Sequence, residues 1–247
     1  LWDNCLRHGV SYRSYGEFVA NGDRPGDTMK ALMPSLEGHT APRFRGWDLD
    51  YSDVDREKVW EEEFDGYERS GDLPQFQIIR LPNDHTYGTR KGKLSPRAFV
   101  AQNDLALGRV VERISRSRFW RESAIFVVED DAQNGADHVD AHRTVALAIS
   151  PYTKRHFVDH TLYSTSSLLR SIEMILGLPP LTQFDASSAS LRNSFANEPD
   201  TSRYEHVSAR VNLQELNIVG AYGQERCGEM DFTHEDSVPD LEFNEIL

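Results

Sequence analysis

Cysteine is nearly absent: the 247 residues hold two, Cys5 and Cys227. That excludes a disulfide-dense scaffold and leaves either one long-range disulfide or two unrelated thiols. Positive charge is scarce as well. The 27 Lys and Arg against 40 Asp and Glu give a net charge of −13, which excludes a basic footprint for nucleic acid or an anionic membrane. The same field repels an anionic substrate, which would then need a local cation. No apolar run reaches the length of a membrane span, and the first residues lack the basic and apolar regions of a signal peptide. The chain opens on Leu1 and closes on LEFNEIL, so an excerpt of a longer polypeptide is expected and the missing signal decides nothing about compartment. Internal repeats and low-complexity tracts are missing too. What remains is material for a core, with 38% hydrophobic and 10% aromatic residues, in a length that suits one large domain.

Chemistry concentrates between residues 123 and 154. The run from Ala124 to Val128 is apolar and rich in β-branched residues, which predicts a strand buried on both faces of a parallel sheet. It stops at Glu129, Asp130 and Asp131, followed by Asp137, His138, Asp140 and His142, before Val145 to Ile149 resumes the sheet. In open α/β sheets ligands bind beyond the carboxyl ends of strands. Carboxylates this close together repel and stay ionised only with solvent or a cation among them. A solvated loop has the same composition, but acids abutting a strand end, with two histidines returning soon after, favour a divalent metal. The donors are hard oxygens and imidazoles suited to Mg, Ca, Mn, Fe or Zn, with no thiolate nearby.

The rest of the chain predicts an α/β fold, a mainly parallel sheet flanked by helices. A short helix ends near Gly9 and an aromatic strand follows over Ser11 to Phe18. Residues 21–45 read as a surface loop. Asp53 to Arg69 reads as an amphipathic helix capped at Ser52 or Asp53, its acids on a solvated face. Gln75 to Leu81 reads as a strand running into Pro82-Asn83-Asp84-His85, a turn that sets Asp84 and His85 at a second strand end. Pro96 to Trp120 is helical by period and feeds the strand at Ala124, which together predict a βαβ crossover. Ser164 to Leu176 forms a capped helix closed by Gly177 and Pro179-Pro180. Beyond Phe184 the pattern weakens, with a strand suggested at Val207 to Leu213.

These residues carry a family resemblance. WRESAIFVVEDDAQNGADHV at 120–139 and ISPYTKR at 149–155 resemble the phosphoesterase family of bacterial phospholipases C and acid phosphatases, a branch of the alkaline phosphatase superfamily. LPNDHTYGT at 81–89 and SSLLRSIEMILGLPP at 166–180 resemble its segments too. The resemblance implies an alkaline-phosphatase-like fold and hydrolysis of phosphate esters, with a phosphate-ester small molecule or phospholipid headgroup as partner. It also implies an extracytoplasmic setting. Asp130 and Asp131 would ligate the metal, with Glu129 a flanking acid or, after a one-residue shift, a ligand. His85 and His138 would act on phosphate oxygens or the leaving group. Asp137 would fix His138, and Asp84, Asp140, His142 and Arg143 lie on the substrate side. The family's first ligands, a Glu-Asn pair, and its nucleophilic Ser or Thr precede this region and are not found in the chain. The resemblance thus makes residues 1–247 the C-terminal portion of an incomplete catalytic domain, with its core at 75–185 and a less regular extension after it. Some members carry a β-propeller ahead of this region. A metal-binding module without catalysis, and a sister chemistry such as sulfate ester hydrolysis or phosphomutase transfer, fit the same residues.

Overall fold

The computed structural model describes residues 1–24, 26–130 and 142–247. Asp131, Asp137, His138 and Asp140 therefore lie outside the described residues. In chain order the elements begin with helix α1 (Trp2–His8), strand β1 (Tyr12–Tyr15) and the two-residue strands β2 (Val19–Ala20) and β3 (Lys30–Ala31). Helix α2 (Asp53–Ser70), strand β4 (Phe76–Ile79), helix α3 (Pro96–Ser115), strand β5 (Ile125–Val128) and strand β6 (Ala146–Ile149) follow. Helices α4 (Thr165–Leu176), α5 (Gln183–Ser187), α6 (Gln224–Glu229) and α7 (Asp240–Asn244) complete the order.

The long helices start and stop where local chemistry dictates. Ser52 accepts from the Asp55 N–H at the start of α2, and Gly71 ends it in the left-handed region at φ 80°, a conformation costly for residues with a Cβ. Ser95 caps α3 in the same way, with Pro96 in its first turn. Helix α2 turns Asp53, Arg56, Glu57, Trp60 and Phe64 inward. That corrects the expectation of a wholly solvated acidic face: Asp53 and Glu57 are buried because Arg56 pairs with Asp53 at 3.0 Å and Arg109 of α3 approaches Glu57 at 3.6 Å. Trp60 and Phe64 stack at 4.8 Å in a core with Tyr15, Phe44 and Val110. Each such ring, fully buried, contributes roughly 1.5–3 kcal/mol from area alone.

The fold is α/β, with helices set around a parallel pair. β1 pairs parallel with β4, from Tyr12 against Phe76 to Tyr15 against Ile79, and the crossover between them carries α2. A crossover was expected one step later, from β4 through α3 to β5. Instead β5 pairs antiparallel with β6, Ile125 against Ile149, and antiparallel neighbours need no helical crossover between them. Nor is β5 buried on both faces: Val128 is exposed, as is Leu147 on β6. A run of four apolar residues does not distinguish one-sided from two-sided burial. Residues 207–213 form no strand. Cys5 and Cys227 are free, buried thiols in two different apolar clusters, which settles the disulfide alternative.

Candidate metal centre

Two chain segments distant in sequence meet at one point. β4 ends at Ile79, Arg80 and Leu81 lead into a single 3-10 turn at Pro82–Asp84, and the His85 N–H returns to the Pro82 carbonyl at 3.1 Å. This sets Asp84 and His85 just past the strand. β5 ends at Val128, which brings Asp130 to the same place. The ligand atoms of Asp84, His85 and Asp130 all lie within 4.8 Å of one another, and His85 Nε2 stands 3.5 Å from Asp130 Oδ2. Among the described residues this is the one such group.

Electrostatics at this point is that of crowded acids. Burial raises the Asp84 pKa first, and the Asp130 charge adds to it against the pull of His85. Burial opposes the charged form of His85, but the Asp130 hydrogen bond and the charges of Asp84 and Asp130 outweigh it and raise the imidazole above its ordinary value. Glu17 is raised by burial, with Glu235 and Asp130 adding to the shift and Arg80 opposing it. Arg80 lies 2.6 Å from Glu235 and 3.8 Å from Glu17, with its guanidinium 5.7 Å from the centre of the Trp47 ring. Trp47 in turn meets the His85 ring edge-on at 4.8 Å and donates its Nε1–H to the Phe232 carbonyl at 3.3 Å. Four carboxylates thus surround one imidazole and one guanidinium.

Two carboxylate oxygens and an imidazole nitrogen suit a hard or borderline divalent cation. Their mutual separation is what ligands at about 2.0–2.5 Å from one ion adopt. The residues present therefore fit a divalent cation.

The expected site residues divide accordingly. His85 and Asp130 are brought together, and Asp84, expected on the substrate side, joins them. Glu129 is not in the group; its carboxylate accepts from Thr144 across the hairpin. His142 and Arg143 are exposed at the start of the return to β6, where Glu129, Arg143, Thr144 and Val145 line an open cleft of 430 Å³. Sequence reasoning missed Trp47, Arg80, Glu17 and Glu235. Arg80 directly precedes the Leu81–His85 turn and was open to notice, whereas no spacing ties Trp47 or Glu235 to it. A second open groove, of 450 Å³, lies between α2 and α3. Its Arg109 and Arg113 are already paired with acids.

The model of the Phosphoesterase family matches residues 1–179. The chain belongs to the Phosphoesterase family. The match takes in every residue of the Asp84, His85 and Asp130 group and leaves residues 180–247 outside it. Membership assigns the chain to the hydrolases of phosphate esters. No curated protein matches the chain. Among the described residues no helix is long and apolar enough to cross a membrane.

Proposed function

We propose that this phosphoesterase is metal-dependent and that Asp84, His85 and Asp130 hold its divalent cation. The observation behind the proposal is the convergence of two strand ends on one donor set inside an acid surplus. A cation there, when bound, would neutralise phosphoryl oxygens and lower the pKa of the attacking hydroxyl. Asp84 and Asp130 supply the charge that retains it. Trp47 walls the His85 ring on one edge, and Arg80 adds a fixed positive charge beside the group.

The finer roles rest on the family resemblance. Asp131 completes the acidic pair, and His138 with Asp137 supplies a second imidazole and the acid that orients it. Glu129, His142 and Arg143 belong to the substrate side. By the same resemblance the nucleophile is a Ser or Thr, and the substrate is a phosphomonoester or a phosphodiester of the phospholipase C kind, met outside the cytoplasm. One observation favours a second role for His85: burial works against its charged form, but the neighbouring acids outweigh it and raise the imidazole, which favours the ring as a donor to a phosphoryl oxygen in the cation-free site.

The test is Asp130→Asn in protein carrying its upstream sequence. Hydrolysis of p-nitrophenyl phosphate driven by Mn2+ should fall at least about 100-fold, the scale of losing a principal electrostatic contact. Turnover at the wild-type rate, with unchanged Mn2+ dependence, would refute the proposal.

A further inference from the structure

Asp84 closes a turn of three residues and His85 directly follows it, yet a ligand set holds an ion tightly only if its donors are fixed to a fraction of an ångström. The turn itself makes one internal hydrogen bond, His85 N to the Pro82 carbonyl. What else fixes it is a buried polar network from two helices. Asp53, the first residue of α2, donates its backbone N–H to Asn83 Oδ1 at 2.7 Å, and its carboxylate accepts the Asn83 N–H at 2.8 Å. Asn103 of α3 donates to the same carboxylate at 3.0 Å and to the Leu81 carbonyl at 2.8 Å. The turn is tied at three atoms on two residues. Asp53 and Asn83 are both fully buried.

We infer that Asp53 is a positioning residue for the cation ligands, with Asn103 as its assistant; this rests on the reading of Asp84, His85 and Asp130 as the ligand set. Two features separate the network from a merely stabilising one. First, it is wasteful. Asn83 Nδ2 is buried without a partner, because the Asp53 N–H claims its Oδ1 and so fixes which way the amide faces. An unmade buried hydrogen bond lowers stability, and an apolar residue in its place would avoid that loss. An apolar residue there would not hold Asp53. Second, the bonds converge on the segment that carries the ligands: Leu81 O precedes the turn and Asn83 directly precedes Asp84. Arg56 completes the arrangement by holding the other Asp53 oxygen at 3.0 Å, so the carboxylate cannot swivel away from Asn83.

The experiment measures two quantities on Asp53→Asn and Asn103→Ala in the 247-residue chain: Mn2+ affinity by calorimetry, and exchange of the His85 amide hydrogen by NMR. Asn103 is only partly buried, so its variant keeps the comparison available should Asp53→Asn, which strips Arg56 of its anion, fail to fold. Leu191→Ala, a core truncation beside α4, is the control for lost stability without touching the turn. The inference expects the Asn103 variant to bind Mn2+ about 10- to 100-fold more weakly, the range for residues that orient metal ligands, with faster His85 exchange. The Leu191 control should move neither. Wild-type exchange at His85 in Asn103→Ala would overturn the inference whatever the metal does, as would equal effects in the control. Should wild-type protein take up no Mn2+, the cation reading falls and His85 exchange alone decides the positioning claim.

Discussion

Replacing Arg56 by alanine tests the buried frame behind the site most severely. The guanidinium is fully buried and every N–H is used. Nε donates to the Arg45 carbonyl at 2.9 Å, one Nη to the Gly46 and Asp48 carbonyls at 2.7 and 2.8 Å, and the other to Tyr51 O and Asp53 Oδ1. Alanine leaves four carbonyls without this donor and the Asp53 carboxylate without its cation. Breaking a buried pair by removing one partner costs about 3–5 kcal/mol. In a chain of this length each kcal/mol is worth about 2–4 °C in Tm, so a fall of roughly 6–20 °C is expected at neutral pH. The loss should also depend on pH. Burial raises the Asp53 carboxyl to about 6 even though Arg56, Asn83 and Asn103 oppose it. A raised folded pKa means that its contribution to stability is full below the ordinary value of 3.8 and is lost as pH rises through about 6. Without Arg56 the folded value climbs further, and the penalty at neutral pH grows by about 1.4 kcal/mol per unit of climb. Thermal melts followed by circular dichroism at pH 5 and 7.5 check both parts. A variant melting within about 2 °C of wild type at pH 7.5, on the same scale, would refute the reasoning, and so would a deficit no smaller at pH 5.

Mn2+ binding should strengthen with pH, because a metal takes the neutral ring. The folded His85 value lies above 6.5, so in the metal-free protein its proton stabilises the fold fully below 6.5, and that share is lost as pH rises through the raised value. Calorimetric titration at about pH 6, 7 and 8, across the imidazole range, checks this; flat affinity would remove His85 from the ligand set. Gly88 holds φ at +54°, and a Cβ there would stand 2.6 Å from Phe243 Cε2 and 2.9 Å from Cys227 Sγ. Gly88→Ala should therefore cost about 2–4 kcal/mol from the left-handed backbone and overpacking together. It should also loosen α7, seen as faster trypsin cleavage in the C-terminal region; unchanged melting and cleavage would contradict the packing described.

Local signals were written plainly in the sequence. Ser52, Gly9 and Gly177 marked helix ends because capping is a matter of the few residues around it. The turn at Pro82 to His85 and the acidic end of β5 were legible for the same reason. Pairing was not. Parallel partnership of β1 with β4 across α2, and the return of β6 onto β5, depend on contacts between segments whose apolar runs look alike. The buried charges of α2 escaped notice because an acid facing a buried arginine has the same letter as one facing water. Trp47 and Glu235 reached the site through tertiary packing alone, the first on a loop of mixed composition and the second in a stretch beyond the family match.

Crystals soaked in Mn2+ and measured at the manganese edge test the central claim most directly. The account predicts an anomalous peak within about 2.0–2.6 Å, the coordination range for hard divalent ions, of one oxygen each from Asp84 and Asp130 and of a His85 ring nitrogen. A map with strong manganese peaks elsewhere and none among these three side chains would contradict it.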